Sequence, residues 1–187
     1  MLHRVFTAIA LPQNVKEELF NFSKRYYQIP AKWVSKDNLH ITLNFLGKLD
    51  DKQLLETINS VKNIVPQIDQ FLVKLSEVAY APPKTYPPKM IWANIEENKE
   101  LSSLQFELEK NIFGLSSYKY KVKENQEFSP HITLARIKSF DFRRLNQKIE
   151  IEEDLNIEFK VNAVQIIESE LKREGPQYTI LENIFLH

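Results

Sequence analysis

The sequence predicts an α+β fold with largely antiparallel sheets, and three observations carry that expectation. Strand-like and helix-like runs mix along the chain without regular strand–helix–strand alternation. No glycine-rich phosphate loop opens a helical run, and the whole chain has 3 glycines. The tetrapeptide His-Ile-Thr-Leu stands at 40–43 and again at 131–134, about half the chain apart. A repeat of that kind reports a duplicated structural unit and fits two related lobes.

Taken in order, Val5 to Leu11 is apolar and β-branched enough for a strand. Pro12 suits a helix start, and Val15, Leu19, Phe22 and Tyr26 give Val15 to Tyr27 helical spacing. Leu39 to Leu46 reads as a strand ended by Gly47. Asp50 and Asp51 open a helix continued by Leu54, Leu55, Ile58, Val61 and Ile64, and Phe71 to Val78 returns as a strand. The proline-rich segment from Ala81 to Pro88 forbids helix and central strand and reads as a loop between two halves. The plan then repeats: strand Met90 to Ile95, helix Leu101 to Phe113 capped by Gly114, and strand Ile132 to Ile137. A short helix is expected from Phe142 to Ile149, then strands Phe159 to Glu168 and Tyr178 to Phe185.

The composition bounds function. Of 187 residues, 43% are hydrophobic and 27% charged, the balance of a globular chain with material for its own core. Lys+Arg and Asp+Glu are 25 each, so the chain lacks the basic excess of proteins that coat long nucleic acids. Gripping one or two phosphates in a cleft needs only local donors. With no cysteine, disulfides, thiolate zinc sites and cysteine nucleophiles are excluded. No apolar run approaches a membrane span, and a cytoplasmic monomer without an obligate protein partner is expected.

The repeated unit carries the chemistry. On a strand, residues i and i+2 share a face, so His40 projects with Thr42 and His131 with Thr133. Ile41, Leu43 and Phe45, and likewise Ile132 and Leu134, are expected to face the core. One such strand is ordinary half-buried sheet; two of them facing across a groove would surround a small ligand with two imidazoles and two hydroxyls. That set suits phosphodiester displacement, with one imidazole taking a proton from water and the other giving one to the leaving oxygen. The threonine hydroxyls would donate to the phosphate oxygens. No second histidine or carboxylate stands at ligand spacing beside either motif, so neither a metal nor a cofactor is expected.

These motifs resemble those of the two-histidine (2H) phosphoesterase superfamily and, within it, the RNA 2′,3′-cyclic phosphodiesterases, also called 2′-5′ RNA ligases. The resemblance runs from Arg4–Ile9 through Lys32-Trp33-Val34 and Asn38–Gly47 to Phe128–Arg136 and Gly175-Pro176-Gln177-Tyr178. It implies a bilobal, pseudo-symmetric domain over residues 1–187, with two intertwined lobes and an active groove between their antiparallel sheets. It implies hydrolysis of RNA 2′,3′-cyclic phosphate ends to 2′-phosphomonoesters, and reversible ligation at a 2′-5′ junction in the same active site. His40 would protonate the leaving 3′-oxygen, His131 would activate water, and Thr42 and Thr133 would hold the phosphate. Arg136 would brace the anion, although strict alternation puts it opposite His131 and Thr133 unless a bulge turns it back. Trp33 and Phe6 are candidates for base stacking or for core packing, and the Tyr118–Lys123 run for an RNA path or a solvated edge. Other readings are a phosphodiesterase for small cyclic nucleotides or 2′-5′ oligonucleotides, and a non-catalytic nucleotide- or RNA-binding module.

Overall fold

In the computed structural model, which describes residues 1–115, 128–147, 149–151, 153–173 and 175–187, the opening apolar run forms β1 (His3–Ala10). The Tyr118–Lys123 run lies outside the described residues. Pro12 caps α1 (Gln13–Arg25), where first-turn N–H groups have no helical partner and a missing one is tolerated. This helix buries Val15, Leu19 and Phe22 along one face.

Short β2 (Ala31–Trp33) precedes β3 (His40–Leu49). Helix α2 (Asp51–Ile64) starts with a reciprocal cap: Gln53 N–H donates to Asp50 at 2.9 Å, and Asp50 N–H to the Gln53 side chain at 3.0 Å. Strands β4 (Phe71–Ala81) and β5 (Met90–Ile95) pair antiparallel, so the proline-rich segment joins neighbours rather than separating halves of the sheet. Helix α3 (Lys99–Phe113) is capped by Asn98 and buries Leu101, Leu104, Leu108 and Ile112.

After β6 (His131–Ile137), α4 (Ser139–Phe142) is a single turn ending on buried Phe142. Beyond Phe142 the helix expected from Phe142 to Ile149 is absent over its described residues. Phe142, Leu145 and Ile149 mimic helical spacing, yet Phe142 reaches the core from the end of α4, and Leu145 and Ile149 pack against it from irregular chain. The strand expected over Phe159 to Glu168 is two strands broken at Asn162: β8 (Glu158–Val161) pairs with β4, and β9 (Ala163–Lys172) with β1. One polar residue in an apolar run marks the crossing from one side of the molecule to the other. Strands β7 (Glu153–Asp154) and β10 (Gly175–Phe185) complete the set.

The strand order is β10-β9-β1-β3-β6-β5-β4-β7, with β2 on β6 and β8 on β4, and every pairing is antiparallel. The two expected sheets are thus halves of one path, joined where Ile41 pairs with Ile132. These are equivalent residues of the two tetrapeptides, and both are fully buried. An antiparallel pair of equivalent residues is what a local two-fold axis between β3 and β6 produces.

Register shifts break the alternation on both motif strands. On β3, Thr42 faces Ala8 but Asn44 faces Thr7, leaving Leu43 as an extra residue. On β6, Thr133 faces Trp92 but Ala135 faces Ile91, leaving Leu134 as its counterpart. A bulge inverts the facing of everything beyond it. The β3 bulge is tied by Asn44 N–H donating to Thr7 Oγ1 at 3.2 Å. A second shift follows at Leu46, where Gly47 takes φ +76° inside the strand, which therefore continues past it to Leu49.

Candidate active site

Where β3 and β6 meet, a groove of about 900 Å³ opens, lined by His40, Thr42, His131, Thr133 and Arg136 among others. Continued by one residue on each side, the Ile41–Ile132 register sets His40 against Thr133 and Thr42 against His131. The structure therefore brings together all five residues singled out in the sequence.

The two imidazoles are held alike. His40 Nδ1–H donates to the Asn38 carbonyl at 2.7 Å, and His131 Nδ1–H to the Ser129 carbonyl at 2.8 Å. In each case the acceptor lies two residues upstream, and the bond fixes the tautomer with Nε2 as the free, basic nitrogen. His40 Nε2 accepts from Thr42 Oγ1 at 3.0 Å. Burial pushes both histidines below the usual imidazole pKa. The carbonyl bonds oppose that in both, while Lys16 and His131 add repulsion at His40. Both rings are thereby biased toward the neutral form in the free protein, and an anion in the groove would favour protonation.

Their surroundings differ. The His131 ring stacks on Trp92, centroids 3.7 Å apart and planes 18° from parallel. Trp92 pairs with Thr133 on β5, whereas the residue pairing with Thr42 on β1 is Ala8. One half-site has an indole where the other has a methyl group. His40 instead sits beside Phe6 at 5.0 Å and the edge of Tyr178 at 5.5 Å.

Beyond the bulges the facing is corrected. Phe45, expected in the core, is 74% exposed and lines the groove, because the extra Leu43 turns it over. Arg136 occupies the same offset in the second motif and is turned the same way, exposed on the groove side. Phe6 is buried among His40, Phe45 and Tyr178 and offers no open stacking face. Trp33 is half-buried against Phe22, and its Nε1 has no hydrogen-bond partner among the described residues. Trp92 escaped the sequence reading, and Tyr178 entered it only as part of the Gly175-Pro176-Gln177-Tyr178 resemblance, with no place beside a histidine. Tyr178 lies near the start of the last strand, and nothing local ties it to His40, the first-motif residue that it touches from the far end of the chain. Among the described residues, no cluster of three His, Cys, Asp or Glu side chains converges as a metal site.

A family model described as LigT-like phosphoesterase matches residues 9–92 and again 95–178, one match over each motif. An RNA 2′,3′-cyclic phosphodiesterase of Methanocaldococcus jannaschii is 31% identical over 181 residues, covering 96% of this chain and 98% of its own. The enzyme of that name from Aquifex aeolicus is 29% identical, with 98% and 97% covered. A Thermus thermophilus crystal structure superposes with a TM-score of 0.85 at 26% identity, covering 97% of each chain. Escherichia coli LigT in its apo form has the same fold, with a TM-score of 0.78 at 22% identity over 99% and 98% of the two chains. With its duplicated His-Ile-Thr-Leu strands meeting at one groove, the chain belongs to the LigT-like phosphoesterase family of the two-histidine superfamily.

Proposed function

We propose that the protein hydrolyses 2′,3′-cyclic phosphate ends of RNA to 2′-phosphomonoesters, without a metal, by acid–base catalysis between His131 and His40. The observation that carries this reading is the pair of Nδ1-anchored imidazoles on equivalent strands, in one groove that both motif threonines also line. Several relatives bear the name RNA 2′,3′-cyclic phosphodiesterase, and Escherichia coli LigT has been solved with 3′-AMP and with phosphate.

Neutral His131 takes a proton from water at Nε2 as the water oxygen bonds to phosphorus. The bond from phosphorus to the 3′-oxygen breaks, and protonated His40 delivers its Nε2 proton to that oxygen. Each transfer contributes about 10²–10⁴-fold. Thr42 and Thr133 donate to the non-bridging oxygens, and the Arg136 guanidinium offsets their charge. The bound monoanion favours protonation of His40, countering the burial that keeps it neutral in the free enzyme. With a 5′-hydroxyl replacing water as the nucleophile, the same two nitrogens would open the cyclic phosphate in the same direction, the 3′-oxygen leaving, and join RNA ends through a 2′-5′ linkage.

The test is an RNA oligomer ending in a 2′,3′-cyclic phosphate, incubated with EDTA, with the phosphate position of the product identified. Turnover to a 2′-phosphate is expected, and His40→Ala or His131→Ala should each lower kcat at least about a hundredfold. Absence of turnover, or variants at the wild-type rate, would overturn the reading; loss of activity in EDTA would overturn its metal-free mechanism.

A further inference from the structure

Although the chain carries 25 basic and 25 acidic side chains, the groove is not balanced. Among the described residues lining it there are Arg4, Lys32, Arg136 and Lys172, and no Asp or Glu. Arg136 lies next to the histidines, and the phosphate chemistry above uses it. The other three cations lie on other strands and have no part in that chemistry.

Their places follow from the register. Arg4 is exposed on β1, two residues before Phe6 and on the same face, opposite Lys48. Thr42 is opposite Ala8, so Arg4 stands four residues further along the strand, about 13 Å away. That is too far to share the phosphate held by Thr42 and Thr133. Arg4 and Arg136 have no ion pair among the described residues, and both act on the Tyr178 hydroxyl, opposing the burial that raises its pKa. Lys32 is the cross-strand partner of Arg136. Its ammonium lies beneath the β9–β10 hairpin, where Gly175 at φ +137° has no side chain; a β-carbon there would sit 3.0 Å from Lys32 Nζ. Lys172 pairs with Gly175 across the same hairpin, and its ion pair with Glu170 at 3.3 Å is solvent-exposed and correspondingly weak.

We propose that Arg4, Lys32 and Lys172 form a second phosphate subsite that takes the internucleotide phosphodiester adjoining the reacting end. The preferred substrate is then an oligonucleotide of at least two residues rather than a cyclic mononucleotide. This rests on the reading that the histidine pair cleaves a cyclic phosphate at an RNA end. The groove's volume and the absence of acids among the described residues that line it fit a chain that continues past the terminal nucleotide, and sequence need not be read, since phosphate contacts position without specifying bases.

The test compares adenosine 2′,3′-cyclic phosphate, the dinucleotide with the same end, and that dinucleotide with an uncharged methylphosphonate linkage. At low salt the dinucleotide should exceed the mononucleotide in kcat/KM by about tenfold, as a charge-assisted phosphate contact implies. The methylphosphonate should lose most of that gain. In an Arg4→Gln/Lys32→Gln/Lys172→Gln variant the ratio of dinucleotide to mononucleotide should fall toward one. The log–log salt dependence should be steeper for the dinucleotide by about 0.7 for one further phosphate neutralised. A ratio near one in the wild type, a ratio kept in the variant, or an equal gain with methylphosphonate would overturn the subsite. Turnover of the mononucleotide without a length effect would overturn the subsite alone and leave the cyclic-phosphate reading standing. If no cyclic phosphate is turned over, that reading falls. Calorimetric affinities of the mono- and dinucleotide 2′-phosphates for wild type and variant still decide the subsite.

Discussion

Replacing Trp92 with leucine separates two jobs that the stack on His131 performs. A ring contact with centroids 3.7 Å apart and planes 18° from parallel holds the imidazole in one plane, while Ser129 holds its tautomer. An aromatic pair is worth about 0.5–1.5 kcal/mol beyond its buried area. Once His131 gains a proton, attraction to the indole face adds about 0.5–2 kcal/mol at a partly desolvated site. If His131 is the base, that charge develops in the transition state, so loss of about 1–2 kcal/mol should lower kcat/KM by about 5–30-fold. The sign of the pH effect follows. Removing the indole destabilises the imidazolium, so the limb of the pH profile set by the base moves to lower pH, within the coupling of the pair. Trp92→Phe should restore part of the rate. The fold should tolerate leucine, since Trp92 Nε1 is buried without a hydrogen-bond partner among the described residues and its removal relieves an unsatisfied donor. The assay is steady-state kcat/KM on a cyclic-phosphate oligomer across pH, with folding checked by thermal denaturation. A folded Trp92→Leu enzyme with wild-type kcat/KM and an unmoved profile would refute the reasoning.

Other outcomes are expected from neighbouring features. Phe45→Ala should change stability in urea by no more than about 0.5 kcal/mol while raising KM severalfold; a loss of about 3–5 kcal/mol would mean that Phe45 packs in the core and the bulge is wrong. Gly47→Ala should cost about 1–2 kcal/mol from its φ of +76° alone, because a β-carbon there meets nothing within 4 Å. His3 is bonded by Glu168 at 2.8 Å and Asp51 at 2.9 Å, and those hydrogen bonds, Asp51 first, raise its pKa. Its contribution to stability is therefore full below the unfolded value near 6.5 and is lost as pH rises through the raised folded value. The Tm gap between wild type and His3→Gln should be wider near pH 5.5 than near pH 9, and a gap that widens with pH would reverse the assignment.

The histidine pair is legible because its signal is local and repeated: a tetrapeptide whose strand geometry sets histidine and threonine on one face wherever it occurs. What alternation could not supply was facing beyond the fourth residue. The extra residues Leu43 and Leu134 look like ordinary core leucines, and only the partner strand reveals that each lacks an opposite number. Alternation alone therefore reads Phe45 inward, and it brings Arg136 to the groove that it lines only through the bulge that the sequence leaves as a condition. Helix periodicity succeeded for α1 and α3, whose apolar faces span several turns, and failed after Phe142, where three apolar residues were too few to tell a helix from a packed irregular segment. Long-range neighbours such as Trp92 beneath His131 come from the order of strands in the sheet, which no window of sequence contains.

The crossing at Asn162 has a consequence for how the molecule can come apart. Residues before the proline-rich segment supply β1 and β3 to one half of the sheet but β2 and β4 to the other. Residues after it supply β5 to β8 to the second half, then return β9 and β10 to the first. A protease cut in that segment leaves two fragments, each with a complete His-Ile-Thr-Leu strand and neither with a complete half-sheet. The groove should vanish from each fragment alone and return when the two are mixed, as one cooperative transition. Damage to either half-site is then shared by the whole molecule, and neither imidazole can be lost to local unfolding while its partner stays in place.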